Sequence, residues 1–526
     1  MSGVSRRRFL AGATATAVAL AAPRTHAQKR TTTLRFVPHA ELRVLDPLAT
    51  SAHVTRNHAF MVYDTLFGMD ASLAIRPQMV EKFTATPGGR RWSFTLREGL
   101  RFHDGRPVTS EDVVESLRRW SRRDALGRML AAQTLTLAAV DRKTFALELT
   151  EPFGPLLYAL AKPSPHVPFV LPARLAAAPD TATIKEPTGS GPFRFVSDEW
   201  QPGQQVVYAR NADYKPRAEP PSGSAGAKLP RVDRVVWRSV VDHDATFAAL
   251  AAREVDWWEA PPLELVPRID ANASLATFVH DRRGTQGWLR PNHRHAPFDN
   301  RKARQALLHA VDQSRYLKAM GLEKVARPCP AMFGCGGPFE SSTGAPGKPD
   351  LGRARSLVRE SGYDGRPVVI LSAREVPLTI AAAHLTRDAL MEIGFNVDVQ
   401  AMDWTSVVAR RAKREPPGQG GWNVSFTWWP VSEIDNPAVH AGVSGAGDDA
   451  WFGWPANRRL ESLRREWLHA TEPPLSHQLA EEIQRLAYEE VTYVPIGQWV
   501  VPTAHRKGVT GLLEFPAPLF WNVAVG

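Results

Sequence analysis

The densest run of residues able to hold a guest is aromatic. Trp422, Phe426, Trp428, Trp429, Trp451, Phe452 and Trp454 crowd one stretch, and Trp499, Phe520 and Trp521 follow near the C-terminus. Ligand pockets are mostly apolar walls carrying a few placed polar groups, which is the use such rings suggest; filling a core between domains is the other. Phe426 to Trp429 reads as a strand whose end meets a cleft. Bond-breaking chemistry leaves no comparable trace. There is no Gly-x-Ser-x-Gly elbow, no His-Glu-x-x-His, no Gly-x-x-x-x-Gly-Lys-Ser/Thr loop and no Cys-x-x-Cys pair. The 16 histidines are scattered without ligand spacing, so no catalytic residue, metal site or cofactor is assigned.

The N-terminus supplies the context for the two cysteines. Arg6-Arg7-Arg8-Phe9-Leu10 leads into an alanine-rich apolar run to Ala22, with Thr25-His26-Ala27 as a cleavage point. That run is too short to span a bilayer and resembles a twin-arginine signal peptide over residues 1–27. An exported chain meets an oxidising compartment, so Cys329 and Cys335 are expected to pair, the small loop contributing ~2 kcal/mol. Later stretches are too broken by polar residues to span a membrane, so a soluble mature chain is expected.

The net charge of +11 includes Arg6, Arg7, Arg8 and Arg24 of that leader, so the mature chain is less basic. Its arginine-rich segments lack the interleaved aromatics of a nucleic-acid surface, and no nucleic-acid partner is expected. At 526 residues the chain is too long for one core, since single cores stop growing near ~250–300 residues.

The elements that must position the aromatic run are most legible between Trp92 and Trp120. Trp92, Phe94 and Leu96 alternate with polar residues as a strand with one buried face. Phe102 to Pro107 is a turn in which Asp104-Gly105 reverses the chain and His103 pins it. Thr109 and Asp112 form a capping box, opening a helix with Val113, Leu117 and Trp120 at core spacing.

Further along, Thr33 to Val37 alternates as a strand, and Phe60 to Phe67 reads as a helix. Gly189 and Gly191 lie in a turn feeding a hairpin, with no lysine after them to make a phosphate cradle. Asp299 is a candidate helix cap before Ala303, Ala306, Leu307 and Ala310. Beyond residue 353, helices and strands alternate up to Val397–Gln400, the order of a sheet with parallel strands.

The spelling of these segments resembles one family. Phe94 to Arg97, Phe102-His103-Asp104-Gly105, Pro107-Val108-Thr109, Gly189-Ser190-Gly191-Pro192, Asn211 to Tyr214, and Pro297-Phe298-Asp299 with Arg304-Gln305-Ala306 carry the likeness. They are similar to the dipeptide- and oligopeptide-binding proteins of ABC transporters, the family 5 extracytoplasmic solute-binding proteins.

The resemblance implies an α/β, two-lobed periplasmic-binding-protein (venus-flytrap) fold with an extra N-terminal subdomain. Lobe I would take residues 28–67, 185–285 and a return segment, 498–526; the subdomain 68–184; lobe II 286–497. The implied function is the periplasmic substrate-binding component of an ABC importer. Its cargo would be a peptide or peptide-sized solute, passed to an inner-membrane permease with its ATPase subunits by a monomeric receptor. Peptide-binding members carry an aspartate just after the strand ending at Trp429, where it grips the ligand ammonium. Here Pro430, Val431 and Ser432 stand there, with Glu433 and Asp435 slightly later. Arg374 lies near the place where such members pair an arginine with a ligand carboxylate. The expected ligand-binding set is Trp428, Trp429, Arg374, Glu433, Asp435 and Trp521. The departure at the ammonium position keeps a non-peptide cargo open, such as an opine, a small organic acid or a glycoside. An exported hydrolase on the same fold is the alternative from another class.

Overall fold

The structure, a computed structural model, describes residues 31–179 and 181–526. The leader expected over residues 1–27 lies outside these residues. The chain builds β1 (Thr33–Val37) and α1 (His53–Val62). It continues with β2 (Val80–Ala85), β3 (Arg91–Leu96), α2 (Ser110–Arg123), β4 (Thr134–Ala139) and β5 (Thr144–Leu149). Next come β6 (Phe193–Phe195), β7 (Gln205–Arg210), β8 (Arg234–Arg238), β9 (Trp257–Trp258) and β10 (Leu275–Phe278). Then follow β11 (Thr285–Pro291), β12 (Ala326–Arg327), β13 (Val368–Ala373), β14 (Val397–Met402) and α3 (Trp404–Arg411). Last are β15 (Val424–Pro430), β16 (Val494–Trp499) and β17 (Thr503–Arg506).

These strands form two lobes and a smaller layer. Lobe I is a seven-stranded sheet in the order β6-β7-β8-β1-β9-β17-β10, and lobe II a six-stranded sheet in the order β12-β16-β11-β15-β13-β14. A four-stranded sheet, β2-β3-β5-β4, makes the extra layer. β17, near the end of the chain, pairs antiparallel with both β9 and β10. The chain therefore crosses between the large sheets twice, at residues 279–284 and 500–502. These two short links, the hinge segments below, are of the kind that absorbs domain motions in two-lobed proteins.

The alternation of apolar residues dictates each core. Leu34 and Phe36 of β1 have no exposed surface, and β1 pairs in parallel with β8, Phe36 opposite Trp237. Phe36 meets Trp257 at 5.0 Å and Phe520 at 4.9 Å, both edge-on. Every residue of β13 is buried, the near-continuous apolar pattern of a parallel strand covered on both faces. Val113, Leu117 and Trp120 are buried along α2 as their spacing requires, and Asp112 accepts the Thr109 N–H at 2.8 Å.

His103 does more than pin its own turn. Its N–H donates to the Gly189 carbonyl at 2.7 Å, and its ring Nε2 lies 3.1 Å from the Gly191 carbonyl. A Cβ on Gly189 would lie 2.0 Å from the Val62 carbonyl oxygen, so only glycine permits this approach to α1.

Two local expectations are corrected. The helix expected over 60–67 ends at Val62, because Asp64 is drawn into an antiparallel pairing opposite Val170 and held by Lys228 and Tyr214. The helix after Pro297 is capped by Asn300, which accepts the Lys302 N–H at 2.8 Å, rather than by Asp299; the helix starts one residue later. Cys329 and Cys335 are joined, and Gln498 ties their loop to the hinge. Its side chain bonds both the N–H and the carbonyl of Cys335 at 2.9 Å and donates to the Arg283 carbonyl at 2.6 Å. Among the described residues no helix is long and apolar enough to cross a membrane.

Candidate functional site

β13 runs parallel to both β14 and β15, so the C-terminal ends of these three strands share one edge of lobe II. In open α/β sheets ligands bind at that edge. Arg374 follows β13, Trp404 follows β14, and Trp428 and Trp429 end β15. Backbone N–H groups knit the edge together: that of Arg374 donates to the Met402 carbonyl at 2.9 Å, and that of Trp404 to the Glu375 carboxylate at 2.6 Å. Arg374 is exposed and, among the described residues, its guanidinium has no partner.

Strand geometry sends Trp428 and Trp429 to opposite faces. Trp428 stacks on Trp404 with centroids 5.8 Å apart, and it packs, as does Leu263 from lobe I, against the cluster of Leu317, Leu322 and Trp499. Trp429 stacks on buried Trp288 at 5.6 Å and meets Trp451 edge-on at 6.0 Å. Its indole Nε1 is buried without a hydrogen-bond partner.

Glu433 and Asp435 turn away from this wall and reach across the gap. Glu433 accepts from His53 Nε2 at 2.8 Å, at the start of α1, and from Ser164 Oγ at 2.6 Å. Asp435 accepts from Tyr158 Oη at 2.7 Å and pairs with Arg283 in the hinge. Both acids thus join lobe II to the rest of the molecule. Trp521 stands apart from all of these. It has no exposed surface, and Lys228 Nζ lies 4.8 Å above its ring inside the lobe I core. Trp521 therefore shapes the lobe from within, because the return segment that carries it fills the lobe I core.

The composition of the stretch did not single out the polar groups on the opposite wall. A cavity of about 190 Å³ is lined by His39, His53, Arg56 and Glu259 from lobe I, by Thr285 and Pro430 from lobe II, and by Asp281 and Val501 from the hinge. Glu259 accepts from the His39 N–H at 2.9 Å, from His39 Nδ1 at 2.8 Å and from Asn57 at 2.8 Å. The one sequence signal was the polar cluster His53, Thr55, Arg56, Asn57 and His58, interrupted only by Val54, in a helix that ends apolar.

The Glu259 carboxylate raises the pKa of His39 above its ordinary 6.5, against the opposing effect of burial. Burial alone would lift Glu259, but the His39 charge and hydrogen bonds outweigh it and hold the acid down to about 2. His39, raised on folding, stabilises fully below 6.5 and loses that contribution as pH rises through its folded value. Glu259, depressed on folding, stabilises above 4.5 and loses it as pH falls towards about 2. Thermal melts should therefore show stability falling above pH 6.5, and His39→Gln should flatten that limb. An unchanged limb in the variant would remove the pair from the account.

Comparison with known proteins agrees with this architecture. The family model of bacterial extracellular solute-binding proteins, family 5 Middle, matches residues 74–450. A Sinorhizobium fredii protein described as a probable peptide ABC transporter periplasmic-binding protein is 39% identical over 491 residues, covering 92% of this chain and 91% of its own. Among solved structures, the substrate-binding protein CtaP of Listeria monocytogenes superposes with a TM-score of 0.80 at 18% identity, over 94% of this chain and 99% of that one. The binding protein AgaA of A. tumefaciens, in complex with agropinic acid, gives a TM-score of 0.74 at 22% identity, over 94% and 99%.

Proposed function

Because the chain belongs to the bacterial extracellular solute-binding proteins of family 5, we propose that it is the periplasmic receptor of an ABC importer. It takes a peptide or peptide-sized solute between its lobes, closes, and delivers the cargo unchanged to an inner-membrane permease driven by ATPase subunits. The supporting observation is that both lobes and both hinge links line one cavity, beside a wall of half-buried rings at the ends of parallel strands. A guest touching both walls favours the closed state by its extra contacts there. In this reading Trp428 and Trp429 supply the apolar wall and Arg374 pairs with an anionic part of the cargo. Glu433 and Asp435 act as latches that form on closure.

The latch contacts also favour a second reading of the cargo. The two acids nearest the ammonium-gripping position already hold His53, Ser164, Tyr158 and Arg283, so neither is offered to a free amine. A non-peptide solute fits that arrangement, and agropinic acid bound to AgaA is such a case in a protein of similar fold. The family is one of binding proteins rather than enzymes; turnover of a cargo, lost on substituting one acid, would instead favour a hydrolase.

Small-angle scattering tests the receptor reading. Saturating cargo is expected to reduce the radius of gyration, and Trp428→Ala to weaken binding without unfolding the protein. No compaction at saturation would overturn it.

A further inference from the structure

Each link between the lobes is gripped at both of its ends. In the first, lobe I holds His280: its carbonyl accepts from the Phe515 N–H at 2.7 Å, and its ring Nδ1 lies 3.0 Å from the Phe515 carbonyl. Lobe II holds the other end, where the Arg283 carbonyl accepts from Gln498 at 2.6 Å and the Gly284 carbonyl from the Val431 N–H at 2.9 Å. Between the grips stand Asp281 and Arg282, whose backbone N–H groups have no acceptor among the described residues. Asp281 bonds only within the link, accepting from the Arg283 N–H at 3.1 Å, and Arg282 pairs with Glu514 at the surface. In the second link the Val500 N–H donates to the Val325 carbonyl of lobe II at 2.9 Å, and Thr503 Oγ1 to the Trp258 carbonyl of lobe I at 2.7 Å. Val501, whose N–H has no acceptor among the described residues, and Pro502 lie between them.

The grips on the lobe II side converge on the loop closed by Cys329 and Cys335. Gln498, 2% exposed, bonds both backbone groups of Cys335 as well as the Arg283 carbonyl. Gln286, at the start of β11, donates to the Ala331 carbonyl at 2.8 Å. Gly334 abuts Val431, since a Cβ there would lie 2.4 Å from Val431 Cγ1. The links also touch each other where they enter lobe II. A Cβ on Gly284, at φ +61°, would lie 2.1 Å from the Trp499 carbonyl oxygen, so a side chain has no room. Closing the loop with a disulfide removes entropy from its locally opened states, so the segment holding both links opens less often.

We propose that the loop closed by Cys329 and Cys335 is the anchor of the hinge, and that the chain bends only at Asp281–Arg282 and Val501–Pro502. This rests on the receptor reading for the motion itself and adds what confines it. A hinge of a few residues absorbs the whole change in backbone angles while its flanks stay rigid. With both links fixed to one loop, the walls of the cleft meet in the same register at each closure. Gln498 is thereby a positioning residue, acting through the links.

Amide hydrogen exchange of the whole chain without cargo tests it. In the unsubstituted protein the amides of Asp281, Arg282 and Val501 are expected to exchange at least about tenfold faster than those of Val431, Val500 and Phe515 beside them. In Gln498→Leu, and in Cys329→Ala combined with Cys335→Ala, the Val431 and Val500 amides should speed up by about tenfold or more. Phe515, gripped from lobe I, and the amides of β13 should keep their rates. Joining all three substitutions should add little, because each set breaks the same anchor. Equal exchange along both links overturns the inference, as do unchanged Val431 and Val500 rates in the folded variants. Loosening of β13 to the same extent also overturns it, since the disulfide would then serve the lobe and not the hinge. The comparison within the unsubstituted protein decides even if the cysteine variant fails to fold. Compaction by cargo is scored separately by scattering, so failure of the receptor reading is told apart from failure of this one.

Discussion

Asp435→Ala is expected to destabilise the protein by ~3–5 kcal/mol, the range for breaking a buried ion pair by removing one partner. The Asp435 side chain is 5% exposed and that of Arg283 is 6% exposed, so little water reaches either to compensate. Burial alone would lower the pKa of Arg283, but the attraction of Asp435 and Asp281 raises it overall. One of its nitrogens, Nη2, is already buried without a partner. Deleting the acid leaves a guanidinium stranded in the hinge, and Tyr158 loses its acceptor at the same time. The simplest relief is for the lobes to part and hydrate Arg283. Scattering of Asp435→Ala without cargo should therefore give a larger radius of gyration than the unsubstituted chain, beside a lower urea midpoint. Asp435→Asn, which keeps an acceptor for Tyr158, should lose less. Unchanged values for Asp435→Ala in both measurements would show that the latch contributes nothing.

Lys228→Ala is expected to cost a similar ~3–5 kcal/mol, but without changing the angle between lobes. Lys228 Nζ lies 2.7 Å from Asp64, and the two side chains are 0% and 1% exposed. Asp64 also accepts from Tyr214 Oη at 2.8 Å and from the Thr65 N–H at 2.9 Å. Those two donors do not neutralise a carboxylate that water cannot reach. The pair sits where the chain leaves α1, and Lys228 also lies over Trp521 of the return segment. Its loss should thus loosen lobe I where three distant parts of the chain meet. Lys228→Met combined with Asp64→Asn should recover most of the stability, since replacing both charges leaves none unpaired. If the double variant is as weak as the single one, shape rather than charge decides this site.

The two cases differ in how much could be read in advance. Glu433 and Asp435 stood out in the sequence by their place after the aromatic strand, as ligand contacts. Their partners His53, Ser164, Tyr158 and Arg283 lie between 152 and 380 positions away, and no spacing rule connects them. Arg56 was hidden for the same reason: in a string of letters a buried arginine and a solvated one look alike. Trp521 shows the opposite error. A ring next to other rings looked like part of a wall, and only the seating of β17 and the segment after it shows that it is core.

What the amino-acid sequence determined by itself is everything held by neighbours. The strand from Arg91 to Leu96, the box of Thr109 and Asp112, the turn at Gly105 and the pairing of Cys329 with Cys335 depend on contacts a few residues apart, so their periods and spacings are written in order along the chain. The family-wide spelling extended that reading to two lobes and a cleft. Which distant residues Glu433 and Asp435 bond to, which groups share a cavity and which rings are seated inside a core were decided only by folding. Those outcomes depend on burial and on a few ångströms between residues brought together by two hinge crossings. Electrostatic energy in a low-dielectric interior changes more steeply with such distances than with any feature of the linear order.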